Sequence, residues 1–227
     1  MPILTQPPAT RFLTSWSGGK DSALALWRAS QAGGQPTGLL TMLAESGERS
    51  RSHGLPPTIL QAQAAALGLP LVCGVATWSG YEAEWTAKAR QLADQTAATQ
   101  VVFGDIDLDD HRIWEERVCT QIGLSAHLPL WQQDRLRLVE EMFELGMQTM
   151  IVSARADCAD LLGEILNPAV VHSLVERGAD ACGENGEYHT CMLWMPNFSH
   201  QIDLHVLGRE VSPEGYHFLQ VECATSH

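Results

Sequence analysis

Five short apolar runs in the first 131 residues, RFLTSW, PTGLLTML, PLVCGVAT, QVVFGDI and SAHLPLW, alternate with stretches long enough for helices. A helix between two strands carries the chain back to the same sheet edge, so this alternation predicts an α/β fold with a parallel sheet covered on both faces. Helices are expected after Ser22 with Gly33 as a stop, from about Pro57 to Leu67 with proline near the start, near 80 to 98, and through DHRIWEERVCTQIG. This first domain is placed at residues 1–131. From Gln132 the rhythm changes. A helix QQDRLRLVEEMFELG, a strand MQTMIVSA, helices around CADLLGEIL and NPAVVHSLVERG, and strands near HTCMLWM, QIDLHV and YHFLQVECA predict a smaller α+β domain over 132–227.

In open parallel sheets ligands gather beyond the carboxyl ends of the strands. The segment after the first strand is SGGKDS, residues 17–22. Gly18 and Gly19 let backbone N–H groups converge, and the helix that follows adds roughly half a positive charge at its N-terminus, a setting for phosphate. Lys20 supplies a cation, while Ser17 and Ser22 supply hydroxyls. Asp21 would repel an anion unless a divalent ion lay between them, which points to phosphate carried with a metal such as Mg2+. The G-x-x-x-x-G-K-[ST] pattern fails, because Thr14 stands at its first glycine and Asp21 at its hydroxyl residue.

Other segments at strand ends carry further candidates. Gly104 permits close backbone approach, and Asp105 suits magnesium or a ribose hydroxyl. Asp107, Asp109 and Asp110 read as a solvated acidic turn with Asp109 as a helix cap. Arg112 and Glu116 are four apart, which allows either a plain ion pair worth ~0.3 kcal/mol or an arginine that grips a carboxylate in bidentate fashion. His53, in the linker after the second strand, can stack on a base or bond a phosphate. In ENGEYHT two acids, Glu184 and Glu187, bracket Asn185 and Gly186. A turn explains Asn-Gly but not both acids, so we expect Glu184 and Glu187 to hold ammonium and accept its proton, with Asn185, Gly186 and Thr190 binding the acceptor. Trp16 and Trp131 are expected to pack, and either can wall the site against water.

Composition narrows the partners. The net charge of −13 is opposite to the basic footprint of proteins that hold nucleic acid, and no apolar run approaches the ~20 residues of a membrane span. The six cysteines form no C-x-x-C pair, and the histidines show no zinc spacing, so reduced thiols and no zinc are expected. The opening MPILTQPPATRFLTSW has neither a signal nor a transit pattern, and a cytoplasmic protein is expected.

SGGKDS resembles the PP-loop of ATP pyrophosphatases. GDIDLDDHRIWEERVC, LPLWQQ and CGENGEYHT, in that order after it, resemble the motifs of the diphthine-ammonia ligase family over nearly the whole chain. The resemblance implies a Rossmann-like sheet of the adenine nucleotide alpha hydrolase type. It also implies an ATP-dependent ligase that adenylates a carboxylate, releases pyrophosphate and lets ammonia displace AMP, forming a C–N bond. Under it, Lys20, Asp21, Arg112, Glu116, Glu184 and Glu187 are the catalytic candidates. ATP is expected on Ser17, Gly18, Gly19, Lys20, Asp21, Ser22, His53, Gly104 and Asp105, with Mg2+ on Asp21 and Asp105. One departure is that Asn185 and His189 stand where the ligase proper more often shows glycine and an acidic residue. A PP-loop tRNA-modifying enzyme and a nucleotide sensor without turnover remain alternatives. The sequence leaves open whether the acceptor is a small molecule or a protein side chain, and whether the chain forms a homo-oligomer.

Overall fold

The computed structural model describes residues 9–224, and the expected lack of a leader falls largely on the opening residues outside that range. Strands β1 (Arg11–Ser15), β2 (Gln35–Leu43), β3 (Leu71–Val75), β4 (Gln100–Val102) and β5 (Ser125–His127) alternate with helices α1 (Lys20–Gln31), α2 (Pro57–Leu67), α3 (Tyr81–Thr96) and α4 (Asp109–Gln121). All pairings are parallel, in the order β3-β2-β1-β4-β5. The chain runs outward from β1 to β3 and then crosses to β4 on the other side of β1. The carboxyl ends of β1 and β4 therefore flank the crevice where strand order reverses, the ligand position of such sheets.

After β5 follow α5 (Arg135–Glu144), β6 (Gln148–Ala154), a 3-10 turn (Ala156–Leu161), α6 (Pro168–Glu176), β7 (Tyr188–Trp194), β8 (Leu204–Val211) and β9 (His217–Cys223). The last four strands form an antiparallel sheet in the order β7-β6-β9-β8. Three local readings differ from expectation. The run SAHLPLW pairs only through His127, because Pro129 has no N–H for a ladder and Trp131 N closes a turn onto Leu128 O. CADLLGEIL holds only the 3-10 turn. Asp109 is the first residue of α4 and not its cap, which is Leu108, whereas Asp134 does cap α5 by accepting from Arg137 N at 2.9 Å.

Proline at the first turn of α2 and left-handed Gly68 at its end fix that helix at the expected bounds. One face of the parallel sheet is covered by α3 and α4, with Leu13, Leu40, Trp85, Val101 and Phe103 in a single cluster. The other face is not a separate core. Ala23, Leu24 and Leu26 of α1 belong to one continuous apolar cluster with Leu138 of α5, Ile151 of β6 and Met192 of β7. The cluster crosses residues 131 and 132 without a break, and α1 is its shared wall.

A shared core makes the two sheets unfold together. Leu138→Ala, at a fully buried position in the common cluster, is expected to lower stability by about 2–5 kcal/mol. Tryptophan emission and far-ultraviolet circular dichroism should still report one coincident denaturant transition. Two separated transitions would refute the shared core.

Candidate active site

The loop between β1 and α1 is closed by its own hydroxyls. Gly19 N donates to Ser17 Oγ at 3.3 Å, Ser22 Oγ donates to Gly19 O at 3.2 Å, and the two hydroxyls lie 3.0 Å apart. From behind, β7 laces the loop in place. Met192 N donates to Gly18 O at 2.8 Å, and Lys20 N donates to Thr190 Oγ1 at 3.1 Å. Gln63 of α2 completes the lacing. Its Nε2 donates to Gly18 O at 3.0 Å and Met192 O at 2.8 Å, and its Oε1 accepts from Trp16 Nε1 at 2.9 Å.

Two glycines are required by close approach. A Cβ on Gly19 would lie 2.1 Å from His53 Cε1, and a Cβ on Gly104 would lie 2.7 Å from Ser22 N and 2.8 Å from Asp21 C. Gly104 thus lets the end of β4 touch the backbone of α1 itself.

A cavity of about 800 Å3 opens over this loop, walled by both sheets. Ser17, Lys20, Asp21, Ser22, His53, Gly104, Asp105, Glu184 and Gly186 of the expected site all line it. Gly18 and Gly19 form the loop backbone beneath. Thr190 lies behind the loop, where its hydroxyl accepts from Lys20 N and its carbonyl accepts from His53 Nδ1 at 2.6 Å.

Lys20 Nζ is 2.7 Å from Asp21 Oδ2 and 5.4 Å from the centre of the Tyr188 ring. Burial works most strongly against the ammonium, but Asp21 and the neighbouring Tyr188, Cys182 and Glu184 together outweigh it and raise the Lys20 pKa. Asp21 Oδ1 is buried with no partner. Across the cavity, burial and then the charge of Asp21 push the Glu184 carboxyl up to about 7. His53 and His189 face each other with ring centres 4.9 Å apart. Burial lowers His53 to about 4, and burial followed by His53 and Lys20 lowers His189 to about 3, so both rings are neutral at pH 7. Because Thr190 O can only accept, His53 carries its proton on Nδ1.

Asp105 Oδ1 is bonded to His111 Nδ1 at 2.7 Å, so of the two proposed metal carboxylates it is Asp21 that has a free buried oxygen. Among the described residues no group of three or more His, Cys, Asp or Glu is placed to hold a metal. An ion here would need phosphate and water oxygens as well, the habit of magnesium.

Several expected residues are not brought to the cavity. Arg112 bonds Glu116 at 3.2 Å and Asp109 at 3.0 Å and lies 5.1 Å from the Trp131 ring centre, outside the cavity lining. Glu187 is buried under its own loop, accepting from Asp180 N, Asn185 N and Asn185 Nδ2 at 3.0, 3.0 and 3.2 Å. It shapes the segment that carries Glu184, and Asn185 is its partner in doing so.

Other functional positions gave little sequence signal. Trp78, Tyr81 and Trp114 form a tilted stack along the rim, with Trp78 74% exposed and the Arg51 guanidinium 4.3 Å from its ring centre. Trp114 continues inward onto buried Trp85, which stacks on Phe103. Gln63 is one of two glutamines in the alanine-rich QAQAAAL, and nothing local sets it apart from Gln61. Arg135, which holds Asp107 at 2.7 Å and Asp180 at 2.9 Å, joins the segment before α4 to the Glu184 loop.

The family model described as diphthamide synthase N-terminal domain matches residues 10–126, and the diphthamide synthase C-terminal domain matches residues 134–223. Diphthine–ammonia ligase of Schizosaccharomyces pombe is 24% identical over 212 residues, covering 83% of this chain and 35% of that protein. The chain thus spans about a third of the length of this curated relative. Among solved structures, a predicted subunit of tRNA methyltransferase from Methanocaldococcus jannaschii is 15% identical. It has a TM-score of 0.44, and the match covers 82% of this chain and 98% of the other.

Two measurements check this geometry. Gln63→Leu leaves Trp16 Nε1 without its acceptor and takes from Met192 O its 2.8 Å donor, and a loss of about 1–3 kcal/mol in denaturant stability is expected. A carbon-13 carboxyl titration of Glu184 should show an inflection near 7. Asp21→Asn removes a neighbouring negative charge that favours the protonated form, so the inflection should move to lower pH. An unmoved or raised inflection would contradict the placement of Glu184 opposite Asp21.

Proposed function

The chain belongs to the diphthamide synthase family, and on that premise we propose that it is an ATP-dependent ligase that converts a carboxylate to an amide. The triphosphate of ATP docks on Ser17, Lys20 and Ser22 at the N-terminus of α1, where the helix dipole and the ammonium favour anions. The acceptor carboxylate attacks the α phosphorus, pyrophosphate leaves, and an acyl adenylate forms. Ammonia then adds to the acyl carbon, AMP leaves, and one proton is released per amide formed.

The observation that carries this reading is the meeting, in one cavity, of the phosphate loop with a carboxyl poised near neutrality. Glu184 lines the same cavity as Lys20 and Asp21, and its side chain takes no hydrogen bond that would lock it in the charged form. A carboxyl titrating near 7 is matched to accepting a proton from the attacking amine at neutral pH. Neutral His53 and His189 offer hydrogen bonds beside the loop without adding positive charge that would hold the products. Magnesium fits this donor set at Asp21 Oδ1, and when bound it would offset the negative charge of the polyphosphate. The resting ion pair of Lys20 with Asp21 keeps the ammonium at the loop before substrate arrives.

The products decide the matter. With ATP, ammonium and cell extract as the source of acceptor, AMP and pyrophosphate are expected, together with an acceptor lighter by about one mass unit. Glu184→Gln should lower amide formation by on the order of 10²-fold while ATP binding persists. ADP and orthophosphate as products would overturn the adenylation route.

A further inference from the structure

Glu184 reaches the cavity on a loop wound about two carboxylates. Asp180 Oδ1 accepts from Cys182 N at 2.8 Å and from Glu184 N at 3.2 Å, while Glu187 accepts from Asp180 N and Asn185 N at 3.0 Å each. The Glu184 carboxyl itself has no hydrogen bond among the described residues, so its main chain decides where it sits. Glu184 is thus placed by Asp180, and Asp180 needs a cation. Its side chain is only 14% exposed, and its Oδ2 takes Arg135 Nη1 at 2.9 Å. Arg135 is fixed in turn. Its Nε and Nη2 donate to Asp107 at 2.9 and 2.7 Å, and its carbonyl accepts from Cys182 Sγ at 3.1 Å. A guanidinium can serve two carboxylates at once through its planar fork, which a single ammonium cannot copy. The first turn of α5 therefore grips the Glu184 loop through both side chain and main chain.

We propose that Arg135 is a positioning residue for Glu184: by neutralising Asp180 it keeps Oδ1 on the Cys182 and Glu184 amides and so holds the Glu184 carboxyl across the cavity from Lys20. Without the guanidinium, Asp180 is a largely buried charge with no cation beside it, and it gains by turning to solvent. That turn takes Oδ1 off both amides and frees the segment that carries Glu184. The proposal rests on the ligase reading for what Glu184 does to ammonia. The anchoring of the loop stands on distances alone and is tested without turnover.

The test follows amide hydrogen exchange in the full chain. Arg135→Met removes the guanidinium and keeps most of the stem. Exchange at the Cys182 and Glu184 amides should quicken on the order of tenfold, while the amides of Ile151 and Leu39, one in each sheet, hold their parent rates. Arg135→Lys should fall between, and it makes the same comparison if Arg135→Met does not fold. Asp180→Asn keeps an oxygen for the two amides but needs no cation, so adding it to Arg135→Met should slow their exchange again, to within about threefold of the parent. In amide formation at saturating ATP, Arg135→Met should lower the rate on the order of tenfold with the KM for ATP within about twofold. Arg135→Met/Glu184→Gln should be no slower than Glu184→Gln alone, because both changes act through one carboxyl. Unchanged exchange at Cys182 and Glu184, equal quickening at Ile151 and Leu39, or additive losses in the Glu184 double variant would overturn the proposal. Absence of AMP release from the parent protein would instead count against the ligase reading, while the exchange rates still decide the role of Arg135.

Discussion

The site depends on one carbonyl. Gly18 O is held by Met192 N and Gln63 Nε2, and in a planar trans peptide the N–H that follows must point the opposite way. Pinning the oxygen against β7 therefore aims Gly19 N–H at Ser17 and the cavity side. A strand from the second sheet thus orients the glycine loop of the first. The same strand supplies Thr190 and His189, so the loop, its backing and one wall of the cavity are a single hydrogen-bonded unit.

Around that unit the chain limits how many groups are truly charged. His53 and His189 are neutral and Glu115 keeps its proton, each because burial opposes the ionised form. What remains beside the loop is Lys20 facing Asp21 and the Asp105 carboxylate held by His111, with Glu184 balanced between its two states. This spares the low-dielectric interior several unpaired ions, each of which would destabilise the fold by several kcal/mol. It also leaves the cavity sensitive to any new charge, so that a bound anion would shift neighbouring protonation.

The parallel sheet, the position of the loop and the family resemblance were all legible in the sequence, because apolar period and glycine placement are local signals. The approximate bounds of α2 were legible, since proline marks its start. Less legible was what depends on chain crossings. Nothing local to ENGEYHT separates Glu184, which faces the cavity, from Glu187, which folds back to accept three N–H groups. Nor does spacing show whether Arg112 and Glu116 turn toward β4 or away from it. Gln63 and Thr190 matter only because β7 arrives behind the loop, and that neighbour lies more than 120 positions from α2 in the chain. Glu115 and His111 flank Arg112 within one helix, yet only the packed structure separates the residues at the cavity from the outward ion pair.

Arg135 gives the architecture a mechanical property. Its guanidinium is clamped to Asp107 on the segment leading into α4 and to Asp180 at the root of the loop that bears Glu184. Those two segments form opposite lips of the cavity, and a planar, always-charged fork between them transmits displacement as a strut does. Neither lip can retreat without dragging or tearing the other. Under the proposed reading, a nucleotide beside Asp105 and a second substrate at Glu184 would press on two lips joined by one guanidinium, so their binding would be linked.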